Sequence, residues 1–145
     1  MRVDTCLLKL HPNPKKVLDV LLNNEWETAP EMDINFVINN IDNFYYIFKE
    51  REDLSQNETV IGFIVYNKER GELKYFELLP QHQKKGYCKY IMSKDMFDHI
   101  RYINCDQERS EIWKKIFTLD DEDECTTFIY EHPWTHNHEG RLVLL

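Results

Sequence analysis

Glycine and proline are scarce in this chain, four and five among 145 residues, which excludes collagen-like repeats and Gly/Pro-rich low-complexity sequence. No apolar run approaches the roughly 18 residues that would span a bilayer. The N-terminus lacks the basic stretch and apolar core of a secretory signal. Cysteine is sparse too: Cys6, Cys88, Cys105 and Cys125 stand far apart with no C-x-x-C. Neither a disulfide framework nor a zinc ribbon is indicated, and reduced thiols in a core are expected. Basic residues are outnumbered, 18 Lys and Arg against 26 Asp and Glu, for a net charge of −8. That balance weighs against binding to nucleic acid or anionic membrane and fits a cationic or amine-bearing partner. These exclusions leave a cytoplasmic protein as the expectation, a monomer or homodimer. The sequon Asn57-Glu58-Thr59 carries no meaning without a secretory signal.

What is present is a core. Hydrophobic residues make up 42% and aromatics 13%, enough for one self-sufficient domain over residues 1–145. Val3–Leu10 alternates as a first strand, stopped by His11-Pro12-Asn13-Pro14. Pro14–Leu22 carries Val17, Leu18, Leu21 and Leu22 at helical spacing, with Asn13 as the expected N-cap. Glu31–Asn40 reads as a second short helix. Phe44–Glu50 and Thr59–Asn67 are rich in aromatic and β-branched residues and read as strands, with Tyr45, Tyr46 and Phe48 in the core rather than as a base-stacking platform. Ile100–Cys105 is a buried-looking strand, and Asp106–Phe117 places Ile112, Trp113, Ile116 and Phe117 on one side of a helix. Asp120–Glu124 reads as a solvated loop, Cys125–Glu131 as a strand, Trp134–Gly140 as a loop and Arg141–Leu145 as a last strand. His132, His136 and His138 with Glu139 read as part of a polar surface loop, and no metal site is expected.

Everything can be placed around Glu72–Ile91, ELKYFELLPQHQKKGYCKYI. Leu73, Tyr75, Phe76, Leu78 and Leu79 make a strand that Pro80 closes, because proline lacks an N–H. Tyr87, Ile91, Met92, Met96 and Phe97 continue at helical spacing. Between strand and helix, Gln83-Lys84-Lys85-Gly86-Tyr87-Cys88 offers successive backbone N–H groups beside two ammonium groups, a physical anion site. Gly86 lets an anion approach without a Cβ in the way.

Leu78-x-Pro80-x-x-Gln83-x-x-Gly86-x-Cys88 resembles the acyl-CoA signature of the GNAT superfamily of N-acyltransferases, V-x-P-x-x-[QR]-x-x-G-x-[GA], with Cys88 in place of the last small residue. Val60-Ile61-Gly62-Phe63-Ile64 is similar to the strand that precedes that signature. The order of elements also follows the family. The resemblance implies an α/β (α+β) fold with a mixed, mostly antiparallel sheet of about seven strands, splayed between the fourth and fifth and flanked by about four helices. It implies acetyl-CoA as the acyl donor, held by Leu78, Gln83, Lys84, Lys85, Gly86, Tyr87, Cys88 and Trp113. The acceptor would be a primary amine of a small molecule or a protein, attacking the thioester directly in a ternary complex. The region between the first two helices would shape the acceptor pocket.

For the base, Glu72 lies at the separation from Gln83 that the catalytic glutamate has in one GNAT branch, and Glu77 is the second choice; either would need its pKa raised. For the acid, Trp113 stands where the family often has tyrosine, and an indole N–H does not protonate a thiolate. Tyr102 and Cys105 are then candidates, or the thiolate leaves unassisted, or catalysis is lost. The last possibility defines the alternative reading: an inactive GNAT-like domain serving as a protein-binding module.

Overall fold

A computed structural model describes residues 2–50, 58–97, 100, 102–104, 128–129, 134–136 and 142–144. Trp113 and the expected helix around it, Cys105, the acidic run 120–124, His132 and His138 lie outside those residues. The described elements are mixed α and β, and no described helix is long and apolar enough to cross a membrane. The chain falls into two compact units, Met1–Val65 with Tyr75–Ile91, and Tyr66–Lys74 with Met92–Leu145.

The first unit is organised on antiparallel strands. β1 (Val3–Leu7) pairs with β2 (Phe44–Lys49), and β2 pairs with β3 (Thr59–Asn67). Alternation along β2 and β3 puts Phe44, Tyr46, Phe63 and Val65 on one face, with Phe44 opposite Val65 and Tyr46 opposite Phe63. Two helices cover that face, α1 (Lys15–Leu22) and α2 (Ile34–Asn39). Val17 and Leu21 of α1 and Phe36 and Val37 of α2 are buried against it. Aromatic rings fill the interior edge to face: Trp26 meets Phe63 at 4.9 Å, and Phe36 meets Tyr75 at 5.2 Å. The one polar atom of the Trp26 side chain is satisfied, since its Nε1–H donates to the Leu21 carbonyl at 2.7 Å.

Local chemistry sets the helix ends. α1 starts one residue later than expected: Pro14 takes the cap position and accepts from the Leu18 N–H at 2.9 Å, with no side chain capping. The Asn13 N–H donates instead to His11 Nδ1 at 2.9 Å. α2 is capped by Asp33, whose Oδ1 accepts from the Phe36 N–H at 2.8 Å. The expected first strand is shorter as well, because Leu8–Leu10 turns into a 3₁₀ helix.

β3 contains a bulge. Ile47 faces Gly62 and Phe48 faces Val60, so Ile61 is the extra residue. Its carbonyl accepts from the Leu79 N–H at 2.8 Å, just beyond β4 (Glu72–Leu78). Gly62 there touches backbone: a Cβ on it would lie 2.2 Å from the Glu77 carbonyl oxygen and 3.1 Å from Leu78 Cα. Any side chain at this position separates the two strands.

The second unit holds the parallel part. The first residues of β4 pair in parallel with β5 (Tyr102–Asn104), Glu72 beside Tyr102 and Leu73 beside Ile103, while β4 itself runs on to Leu78. β5 pairs in parallel with β6 (Phe128–Ile129). A parallel pair needs a crossover, and the chain between β4 and β5 carries α3 (Tyr87–Met92). α3 ends earlier than expected. Ser93 interrupts it, and Asp95–Phe97 forms a 3₁₀ turn in which the Phe97 N–H donates to the Lys94 carbonyl at 3.0 Å. Trp134–His136, expected as loop, is instead a strand, β7, paired antiparallel with β8 (Leu142–Leu144). Trp134 and Thr135 are good strand formers, and they stand opposite Leu144 and Val143.

Replacing Gly62 by alanine should lower the unfolding free energy by about 3 kcal/mol, by overpacking against backbone that has no rotamer to move. Asp33→Ala, which removes only a cap, should cost about 1 kcal/mol. Urea denaturation of the two variants ranks them. A Gly62→Ala loss no larger than that of Asp33→Ala would contradict the close approach.

Candidate functional site

The residues singled out in the sequence fall at three places. The first is the turn after β4. Leu79 leads into a 3₁₀ helix, Pro80–His82, closed by the His82 N–H on the Leu79 carbonyl at 2.8 Å and the Gln83 N–H on the Pro80 carbonyl at 3.2 Å. The Gln83 side chain reaches back across the turn, its Nε2 donating to the Leu78 carbonyl at 2.8 Å. This is a physical reason for an amide at that position: it fastens the turn to the end of the strand. The chain then takes two left-handed steps, Lys84 at φ 60° and Gly86 at φ 82°. Glycine adopts that conformation freely, whereas at Lys84 it costs about 1 kcal/mol. Lys84, Lys85 and Gly86 are exposed, and α3 opens at Tyr87, where the Tyr90 N–H donates to the Gly86 carbonyl at 3.1 Å.

Cys88 lies half-buried in the first turn of α3. Burial pushes its thiol up to about 12, which favours the protonated form near neutral pH. His82 was not singled out in the sequence. Its Nδ1 is buried without a hydrogen-bond partner. Desolvation, then the charges of Lys49 and Lys85, lower its pKa below the ordinary 6.5.

The second place is a cleft of about 570 Å³ beside the turn, within the first unit. Asn24, Glu25, Trp26, Glu27, Ala29, Pro30 and Met32 line it from the segment between α1 and α2, facing Glu77, Pro80 and Gln83. Three of the ten lining residues are carboxylic and none is Lys, Arg or His. Glu77 sits in its wall, 8% exposed. Its Oε1 accepts from the Thr28 N–H at 2.7 Å and the Thr28 hydroxyl at 2.6 Å, and its Oε2 accepts from the Glu27 N–H at 3.0 Å. Nearby Tyr75 has its phenol pKa raised by burial and, secondarily, by the charge of Glu31.

The third place is the start of β4. Both oxygens of Glu72 face cations there, Arg70 at 3.7 Å and Lys74 at 3.6 Å, with the Glu72 side chain 15% exposed. Backbone pairing sets Tyr102 of β5 beside Glu72. Glu72 belongs to the second unit and Glu77 to the first. Trp113 lies outside the described residues.

Sequence reading missed Trp26, Glu27 and Thr28 as wall residues. The hydrogen bonds from Glu27 and Thr28 to Glu77 span 50 and 49 positions, and no local pattern announces them.

His82 gives the turn a pH signature. Between its lowered folded value and about 6.5, the unfolded chain binds a proton that the folded chain does not. Its contribution to stability is thus intact above pH 6.5 and declines as pH falls through that window. Wild type should lose more stability than His82→Asn between pH 7.5 and 5.5, read from urea midpoints; equal losses would refute the assignment.

No protein-family model matches the chain, and no curated protein matches it in sequence. Among solved structures, the crystal structure of Tetrahymena GCN5 is similar, with a TM-score of 0.52 and 18% identity over 80% of this chain and 78% of that one. At that identity the likeness establishes the fold alone, and the fold is GNAT-like.

Proposed function

We propose that the chain is an acyl-CoA-dependent N-acyltransferase, with acetyl-CoA as donor and a primary amine as acceptor. The observation that carries this reading is the turn Pro80–Tyr87 at the end of β4 in a GNAT-like fold. Gln83 locks that turn to the strand, Gly86 takes a left-handed φ, and two exposed lysines stand beside it.

The residues suit a pyrophosphate. Backbone N–H groups from Lys84 to Cys88 would hold it, Gly86 presents no Cβ to obstruct it, and Lys84 and Lys85 would balance its charge. The left-handed Lys84 supports the same reading, since a residue kept in a costly conformation is often kept for a contact. When bound, the donor supplies a thioester whose carbonyl carbon the amine attacks; the amide bond forms as the carbon–sulfur bond breaks, and the thiolate takes up a proton.

The acidic cleft beside the turn suits the acceptor as an ammonium ion before it is deprotonated. Glu72 is the proposed base, on the resemblance in its separation from Gln83, and Tyr102 the proposed acid. The contacts of Glu72 to Arg70 and Lys74 are long, so its oxygens can exchange those partners for a proton-bearing one.

Calorimetric titration with acetyl-CoA tests the donor site. Wild type should bind with a Kd on the order of micromolar, and Gly86→Glu, which puts a like charge where the pyrophosphate belongs, should weaken this at least about 100-fold. No binding by wild type would overturn the enzyme reading and favour a protein-binding role. Once an acceptor amine is found by screening, Glu72→Gln should lower kcat about 100-fold and leave the acetyl-CoA affinity unchanged. An undiminished kcat would remove Glu72 from the base role.

A further inference from the structure

Glu77 is the buried charged side chain among the described residues, and its hydrogen bonds run to one place. Three donors converge on its carboxylate, all from Glu27 and Thr28, in the segment that joins α1 to α2. That segment has little regular structure of its own. Its ties include the Met32 N–H on the Ala29 carbonyl at 3.0 Å, the Asn24 side-chain amide on the Val20 carbonyl at 2.7 Å and the anchoring of Trp26 to Leu21. The same segment forms one wall of the cleft, while Glu77, on β4, belongs to the opposite one. The carboxylate therefore sets the distance between the two walls.

We propose that Glu77 is a positioning residue: it holds the Glu27–Thr28 backbone as the wall against which a cationic amine is seated, and it takes no proton from that amine. An ionised carboxylate offers about four acceptor positions, and three are already used here. Serving as a base would mean protonating an oxygen that these donors face. One or more of them would then be left unpaired in a half-buried site, and that outcome is costly. The charge of the cleft identifies the ligand class, since Glu25, Glu27 and Glu77 line it with no basic residue. The inference rests on the acyl-transfer reading for what the cleft serves, but not for the clasp itself.

The test uses 1,5-diaminopentane as probe and the full chain labelled with nitrogen-15. In wild type, the diamine should shift the Trp26 indole N–H and the Glu27 and Thr28 amides. Thr28→Val removes one of the three donors without changing charge, and should weaken diamine binding about fivefold and speed exchange of the Glu27 and Thr28 amide protons. Thr28→Ser should restore both. Glu77→Gln should weaken binding more, with acetyl-CoA affinity unchanged in every variant.

Diamine affinity in Thr28→Val equal to wild type would overturn the proposal, because Glu77 would then act through its own charge alone. Absence of diamine-induced shifts in wild type would overturn it as well. Failure of acetyl-CoA to bind would sink the acyl-transfer reading separately, leaving the Thr28 comparison to decide the clasp. Where transfer is measurable, the positioning role predicts a raised acceptor KM in Glu77→Gln with an unaltered kcat pH profile. Loss of the acidic limb of that profile would instead make Glu77 a base.

Discussion

The close approach of β3 to β4 at Gly62 is the constraint on which the site depends. A carbonyl oxygen occupies the space a side chain would need, and the Leu79 N–H bonds to the carbonyl of Ile61, the bulged residue just before Gly62. Together these fix where β4 ends. The turn carrying Gln83, Lys84 and Gly86 starts from that end, and Glu77 lies one residue before it. The lysine-bearing turn and the acid-lined cleft are thus registered from one backbone contact.

That common origin explains how opposite charges can coexist within one compact unit. The turn puts Lys84 and Lys85 in solvent, where they keep their hydration. Glu77 is buried and compensated by fixed donors, so its charge needs no ammonium partner from the protein. Glu25 and Glu27 line the same cleft from the opposite wall. A net charge of −8 is thus unevenly distributed: three acidic residues line the cleft, while Lys84 and Lys85 stand on the turn beside it.

The parts of this arrangement that were legible in the sequence are those written in neighbouring residues. Thr59–Asn67 carries its own strand signal and is a strand with the same bounds. The order strand, turn, helix around Pro80 and Gly86 is local too, since each residue acts through its own backbone conformation. Trp134–His136 was misread because His132, His136 and His138 suggest solvent, while its strand character comes from Leu142–Leu144, which faces it across the hairpin. The Ile61 bulge and the Glu77 clasp were illegible for the same reason. Each depends on a partner distant in sequence, and a glutamate in a strand looks the same whether it faces water or three N–H and O–H donors.

The two glutamates of β4 show how much a side chain's partners decide. As sequence candidates for the base, Glu72 comes first by its separation from Gln83 and Glu77 second, both being glutamates on the strand before the turn. Their surroundings then differ in kind. Glu72 meets two side-chain cations at 3.6 and 3.7 Å, long contacts with partners on flexible stems. Glu77 meets backbone N–H groups at 2.7 and 3.0 Å, short bonds to atoms that cannot leave without moving the chain. A proton acceptor must be able to exchange its partners during reaction, and a clasp must not. By that criterion the short, fixed bonds of Glu77 suit a clasp.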